Sequence, residues 1–169
     1  MHMTRKQLTA AFGALLLGIG VLGISSADAA THTSRAQCVT FTGTDRSQLS
    51  IHDGGTPGAG PGDSVVYHDE FTDTAGNHVG AADGTALVFV SPVDGSLREA
   101  LNATGTALNG SVYVSGYVGV VEAQTQEQTL AAIGNGGALA GKVGTWKFKL
   151  AAQPAPNLTI FTVTMRLCG

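Results

Sequence analysis

Residues 97–121 read LREALNATGTALNGSVYVSGYVGVV, and they decide the fold. Two runs, Leu97 to Leu108 and Ser111 to Val121, alternate apolar or small positions with polar ones on either side of Asn109-Gly110. A period of two is the mark of a strand with one buried face, and Asn-Gly between two such runs signals a two-residue hairpin. The same unit recurs in both directions. Ser64 to Phe71 and His78 to Val90 flank a longer turn at Asp73-Thr74-Ala75-Gly76-Asn77, and further runs cover Gln128 to Ile133 and Val143 to Leu150. With a first strand opening at Cys38 and a last one from Leu158, the count is eight. The only helical candidate, Gln124 to Ile133, reads better as a loop running into a short strand. Eight short strands joined by turns predict an all-β fold, an eight-stranded antiparallel up-and-down barrel of calycin-like form. Closure removes the exposed edges, and a small barrel encloses a pocket.

The connections fit that plan. Gly54 to Gly62, with Pro57 and Pro61, reads as a flexible loop at a rim, and Gln153-Pro154-Ala155-Pro156 as a short stiff connection. Gly105, Gly116, Gly119 and Gly144 weaken strand propensity but suit tight bends or close backbone approach.

Ahead of the strands, Arg5 and Lys6 precede an apolar run from Leu8 to Ile24 and then Ala27-Asp28-Ala29. These are the parts of a secretory signal peptide, so residues 1–29 are expected to be a leader and 30–169 a single barrel domain of an exported protein. The apolar run is short and broken by Gly13, Gly18, Gly20 and Gly23, which argues against stable membrane insertion. The Ala- and Gly-rich composition fits a bacterium of high genomic GC content. After Ala30 the chain carries eleven acidic and seven basic residues, a net charge of −4. That excludes the basic footprint of a nucleic-acid binder.

Only two cysteines occur, Cys38 and Cys168. In an exported chain they read as a disulfide, with two free thiols as the alternative. Phe161, Val163, Met165 and Leu167 share one face of the last strand, and Val39 and Phe41 one face of the first, so both cysteines fall on the opposite, polar face. A bond between them would sit on the outer wall and draw the first and last strands together.

Candidate chemistry follows from the inward faces. Val65, Tyr67 and Phe71 share a face with Asp69, and burial there would raise the pKa of a carboxyl toward the range useful for proton transfer. The other reading of Asp69 is a solvated residue past the strand end. Glu99 lies between Leu97 and Leu101 in the same manner. Tyr113 and Tyr117, together with Ser115, are candidates for lining the cavity, as are Phe71, Phe89, Trp146, Phe148 and Met165. Tyr113 and Tyr117 have outer-wall packing as their alternative. His68 and Asp69 face opposite ways, and no metal-ligand spacing is present, so no metal or cofactor is expected. No Gly-x-Ser-x-Gly elbow occurs.

The order of these features resembles the allene oxide cyclase barrel family, which is related in fold to plant dirigent proteins and to bacterial barrel cyclases of spirotetronate-type pathways. The residues that carry the likeness are Gly62-Asp63, Tyr67 and Phe71, Gly76, Val79-Gly80, Gly84 and Leu87-Val88-Phe89, then Val114-Ser115-Gly116. The block from Leu130 to Gly144 follows, similar to the family's A-I-x-G-G-x-G-x-F-x-G-A-x-G with Leu139 at the aromatic position. The resemblance implies an eight-stranded barrel with a hydrophobic lumen, often a dimer or trimer, that cyclises reactive, flexible substrates. Tyr67-His68-Asp69-Glu70-Phe71-Thr72 aligns with the dirigent F-D-D-P-L-T stretch and places Asp69 on its acidic position. Plant cyclases carry a catalytic Glu in the first strand, whereas Cys38-Val39-Thr40-Phe41 offers no acid.

Three functions are consistent with this reading. The first is a cofactor-free cyclase or isomerase for a hydrophobic small molecule, polyene-, polyketide- or oxylipin-like, with Asp69, Tyr67 or Glu99 handling protons. The second is a lipocalin-like carrier that binds such a ligand unchanged. The third is an interaction protein whose lumen is filled by its own side chains.

Overall fold

Alternation along the chain becomes eight strands in the structure, a computed structural model that describes residues 37–55 and 57–169. The expected leader, residues 1–29, lies outside the described residues. The strands are β1 (Cys38–His52), β2 (Ser64–Asp73), β3 (His78–Val90), β4 (Leu97–Ala107), β5 (Gly110–Gly119), β6 (Gln128–Gly137), β7 (Val143–Ala155) and β8 (Leu158–Cys168). One helical turn, α1 (Glu122–Thr125), joins β5 to β6. Each strand pairs antiparallel with the next, and β8 returns to β1 to close the barrel. At the seam Cys38 stands opposite Cys168, and Gln48 opposite Leu158.

The disulfide joins Cys38 to Cys168 across this seam. Cys38 is exposed, so the bond lies on the outer surface, as the face pattern requires. It ties positions 130 residues apart at the junction that closes the sheet.

Strand ends differ from the sequence reading in several places, among them β6, which runs on to Gly137. The hairpin turn is Leu108-Asn109, with φ of 50° and 63°, and Gly110 is already in β5 opposite Ala107. Gly110 is needed for close approach rather than for the turn: a Cβ there would lie 2.6 Å from Leu139 Cγ. The left-handed backbone therefore falls on Leu108 and Asn109, of which only Asn tolerates it easily. β7 continues through Pro154, where the β7–β8 register shifts, a setting in which a missing N–H costs no ladder bond. β1 runs on to His52, well beyond the opening residues that announced it.

The two ends of the barrel are unlike. At the end that carries the disulfide, Phe41, Met165 and Leu167 from the strands meet Leu139 from the β6–β7 turn, the last three at 0 % exposure. Gly134 and Gly110 leave Leu139 the room to plug that end. The opposite end carries α1 and the loops after β1 and β3. The loop after β1 is tied down by Asp63, whose carboxylate accepts N–H bonds from Gly54 (3.0 Å) and Gly60 (2.7 Å). The Asp63 backbone bonds to Val88 of β3 (2.8 Å). The rim loop expected to be flexible is thus anchored at its second half.

Candidate functional site

Above the plugged end the inward residues of β3 and β4 are small: Ala82 and Ala86, then Ala103 and Gly105. Small side chains on one wall cannot meet the aromatic rings on the other, and a cavity of about 310 Å³ remains. Phe71, Trp146, Phe148 and Phe161 line its far wall. Trp146, the only tryptophan of the chain, packs on Phe71 with ring centroids 4.9 Å apart, and Phe148 meets Phe161 edge-on at 5.4 Å. Ala59 of the β1–β2 loop and Ala123 and Gln124 of α1 line the mouth.

The polar groups of the cavity gather where β1 and β2 pair. Ser47 stands opposite Asp69 in the ladder, and Asp45 opposite Phe71. Period two puts Asp45 and Ser47 on the same inward face as Phe41, and Asp69 on the same face as Phe71. Asp45 is 5 % exposed and Asp69 7 %, and the Oδ1 atom of each is buried with no hydrogen-bond partner. Burial pushes the Asp69 carboxyl up to about 6, against a counteracting hydrogen bond from Ser47. Burial, and then the charge of Asp69, holds Asp45 well above the usual carboxylate range. Burial thus favours the protonated form of both carboxyls, and the charge of one opposes ionisation of the other.

Tyr67 and Glu99 complete the acidic side. The Tyr67 ring lies across the face of Gly84, where any Cβ would collide with it, and its hydroxyl donates to the Asn102 carbonyl at 3.1 Å. Burial, followed by the charges of Asp69, Asp45 and Glu99, raises its pKa, so it stays a phenol. Glu99 lines the cavity from β4 and is also raised by burial.

Of the other residues proposed for the site, Phe71, Trp146 and Phe148 line the cavity. Met165 points inward but is packed into the plug and does not reach it. Tyr113, Tyr117 and Phe89 lie on the outer wall. Tyr117 is 72 % exposed and stacks edge-on against Phe89 at 5.7 Å. The reason is parity: Val112, Val114 and Val118 face inward on β5 and Ala86 and Val88 on β3, so the aromatic neighbours must face out. His68 is likewise outside, 2.8 Å from Asp83. Among the described residues no group of three or more His, Cys, Asp or Glu is placed to hold a metal ion.

Asp45 is the residue that sequence reasoning missed. Residues 38–41 carry no acid, but β1 as a whole carries Asp45. The signal was present in Val39, Phe41, Gly43, Asp45, Ser47, Leu49 and Ile51, an unbroken period of two whose middle is polar. Polar residues at inward positions look like the end of a strand unless a cavity is expected there.

Residues 39–160 match the family described as the allene oxide cyclase barrel like domain. No curated protein matches the chain. Among solved structures, a nonspecific heme-binding cyclase that catalyses [4 + 2] cycloaddition during neoabyssomicin biosynthesis superposes with a TM-score of 0.71. The two are 22 % identical, over 80 % of this chain and 68 % of that one. The Diels–Alderase AbmU from Streptomyces koyangensis gives 0.70 at 22 % identity, covering 80 % and 70 %. AbnU, an exo-specific intermolecular Diels–Alderase, gives 0.67 at 16 %, covering 79 % and 98 %. At these identities the likeness establishes a shared barrel.

Proposed function

The chain belongs to the allene oxide cyclase barrel like family, and on that premise we propose that it is a cofactor-free cyclase or isomerase. Its substrate is a flexible, largely apolar small molecule, polyene- or polyketide-like, that folds inside the lumen into the shape from which a ring closes. The observation that carries this reading is the cavity itself: about 310 Å³ of apolar, aromatic-walled space with a buried, incompletely partnered carboxyl pair on one side. A side-chain-filled barrel would have neither the space nor the orphaned oxygens.

The rate would come from two sources. Confinement between the aromatic wall and the small-residue wall restricts the substrate to near-attack geometries and keeps water from the reacting centre, which is all that a pericyclic ring closure of the kind catalysed by AbmU and AbnU demands. Where a proton must move, Asp69, near 6, is matched to give or take it around neutral pH, and burial raises Asp45 toward the form that donates a hydrogen bond to developing negative charge. We also propose that the chain is exported, on the strength of its leader-like start and its disulfide.

The test is to purify the protein from its host, identify co-purifying small molecules by mass spectrometry, and follow their conversion. Turnover that falls by about 100-fold or more in Asp69→Asn is the expected result for proton-transfer chemistry. A ligand bound and returned unchanged would make the protein a carrier and overturn the catalytic reading.

A further inference from the structure

We infer that the ligand of this cavity carries a cationic nitrogen, held by Asp45 and Asp69 against the rings of Phe71 and Trp146. The inference rests on the lumen being a ligand site and narrows what that site accepts.

Three observations carry it. First, both carboxyls are more than nine-tenths buried, both line the cavity, and each keeps one oxygen without a donor. A buried acceptor left unpaired is costly, and a native protein retains one where something else completes it. Second, three carboxyl groups (Asp45, Asp69 and Glu99) line the cavity, and among the described residues no Lys, Arg or His does. The cations adjacent in sequence to these acids, Arg46, His68 and Arg98, lie outside the cavity lining, paired with Glu70, Asp83 and Asp94. Neither Ser47 nor Tyr67 can supply the missing charge, and the Tyr67 hydrogen is already given to Asn102. A carboxylate ionised in this space has no cation in the cavity lining to pair with, and a cationic ligand would supply one. Third, Asp45 is level with Phe71 in the β1–β2 ladder, and the Phe71 ring packs on Trp146. The carboxyl pair and two aromatic rings therefore border one corner of the cavity, and an alkylammonium or protonated ring nitrogen satisfies both, through charge-assisted hydrogen bonds and the aromatic face. The same corner repels carboxylates, so a free fatty acid is a poor fit despite the apolar walls.

Trp146 provides the readout, since its emission reports the cavity and no other tryptophan interferes. Three probes share one skeleton and differ only in the terminal group: 4-phenylbutylamine, 4-phenylbutanol and 4-phenylbutyrate. Titrated at pH 7.5 by fluorescence and by calorimetry, the amine should bind at least about tenfold tighter than the alcohol, and the carboxylate weakest of all. In Asp45→Asn and Asp69→Asn, each with its fold checked by circular dichroism, the ratio of amine to alcohol affinity should fall toward one. Equal binding of amine and carboxylate in the unmodified protein overturns the inference without reference to any variant, as does an amine preference that survives both substitutions. If the alcohol binds and the amine gains nothing, the inference fails and the lumen remains a ligand site. If no probe binds, both readings fail.

Discussion

The two halves of the lumen are built from the same eight strands with the same alternation, yet one is solid and the other hollow. At the solid end, inward positions hold Phe41, Met165 and Leu167, and Leu139 fills what the strands leave. At the hollow end, Ala82, Ala86, Ala103 and Gly105 face the aromatic wall across empty space, and the acids sit there. Side-chain volume rather than strand geometry sets the difference. Leu139, Met165 and Leu167, at 0 % exposure, lie at the solid end, so stability is expected to reside there, leaving the other end free to hold groups that burial penalises.

The sharpest way to break this contrast is at the seam of the solid end. Replacing both cysteines by serine should lower unfolding free energy by about 4 to 5 kcal/mol in the chain-entropy model, read by urea denaturation. A loss under about 1 kcal/mol would mean that the β1–β8 ladder holds the barrel shut unaided. Next, Met165→Ala should cost about 3 kcal/mol, because it opens a hole in close-packed surroundings. Leu101→Ala, beside the existing cavity, should cost clearly less, and equal losses would erase the distinction between the two ends.

The third effect has the opposite sign. Burial raises the Asp69 carboxyl from 3.8 to about 6, so between these values the folded protein binds more protons than the unfolded chain. Stability from this group is full below pH 4 and is lost as pH rises through 6. Asp69→Asn should therefore stabilise the protein by about 2 to 3 kcal/mol at pH 7.5 and by little at pH 4, while impairing function. A destabilised Asn variant at pH 7.5 would show that Asp69 is structural. Smallest of all, Tyr117→Ala on the outer wall should leave probe binding unchanged and shift stability by less than about 1 kcal/mol.

Much of the molecule was legible in the chain, and the failures share a cause. Turn residues and period-two runs gave eight strands, and the faces of Cys38 and Cys168 put the disulfide outside. Phe71, Trp146 and Phe148 face the cavity, and each lies in a run whose apolar parity is unambiguous. Tyr113 and Tyr117 take the outer-wall alternative and Phe89 joins them there; both faces of β5 and of the end of β3 carry apolar residues, and parity then cannot say which one is inside. Asp45 was lost for the converse reason, a polar pair on an inward face. Met165 was read to the right face and the wrong height, since alternation gives side but not depth.

Local preference alone determined that this chain forms short antiparallel strands, because period and turn chemistry act over a few residues. Which strand closes on which could also be inferred, since the alternative is two open edges. The tertiary structure decided the rest: where the lumen is hollow depends on volumes summed across residues far apart in sequence, and whether Asp45 and Asp69 share a desolvated corner depends on the β1–β2 register. A sequence carries no record of water excluded from a space, and that exclusion is what turns two ordinary aspartates into this candidate site.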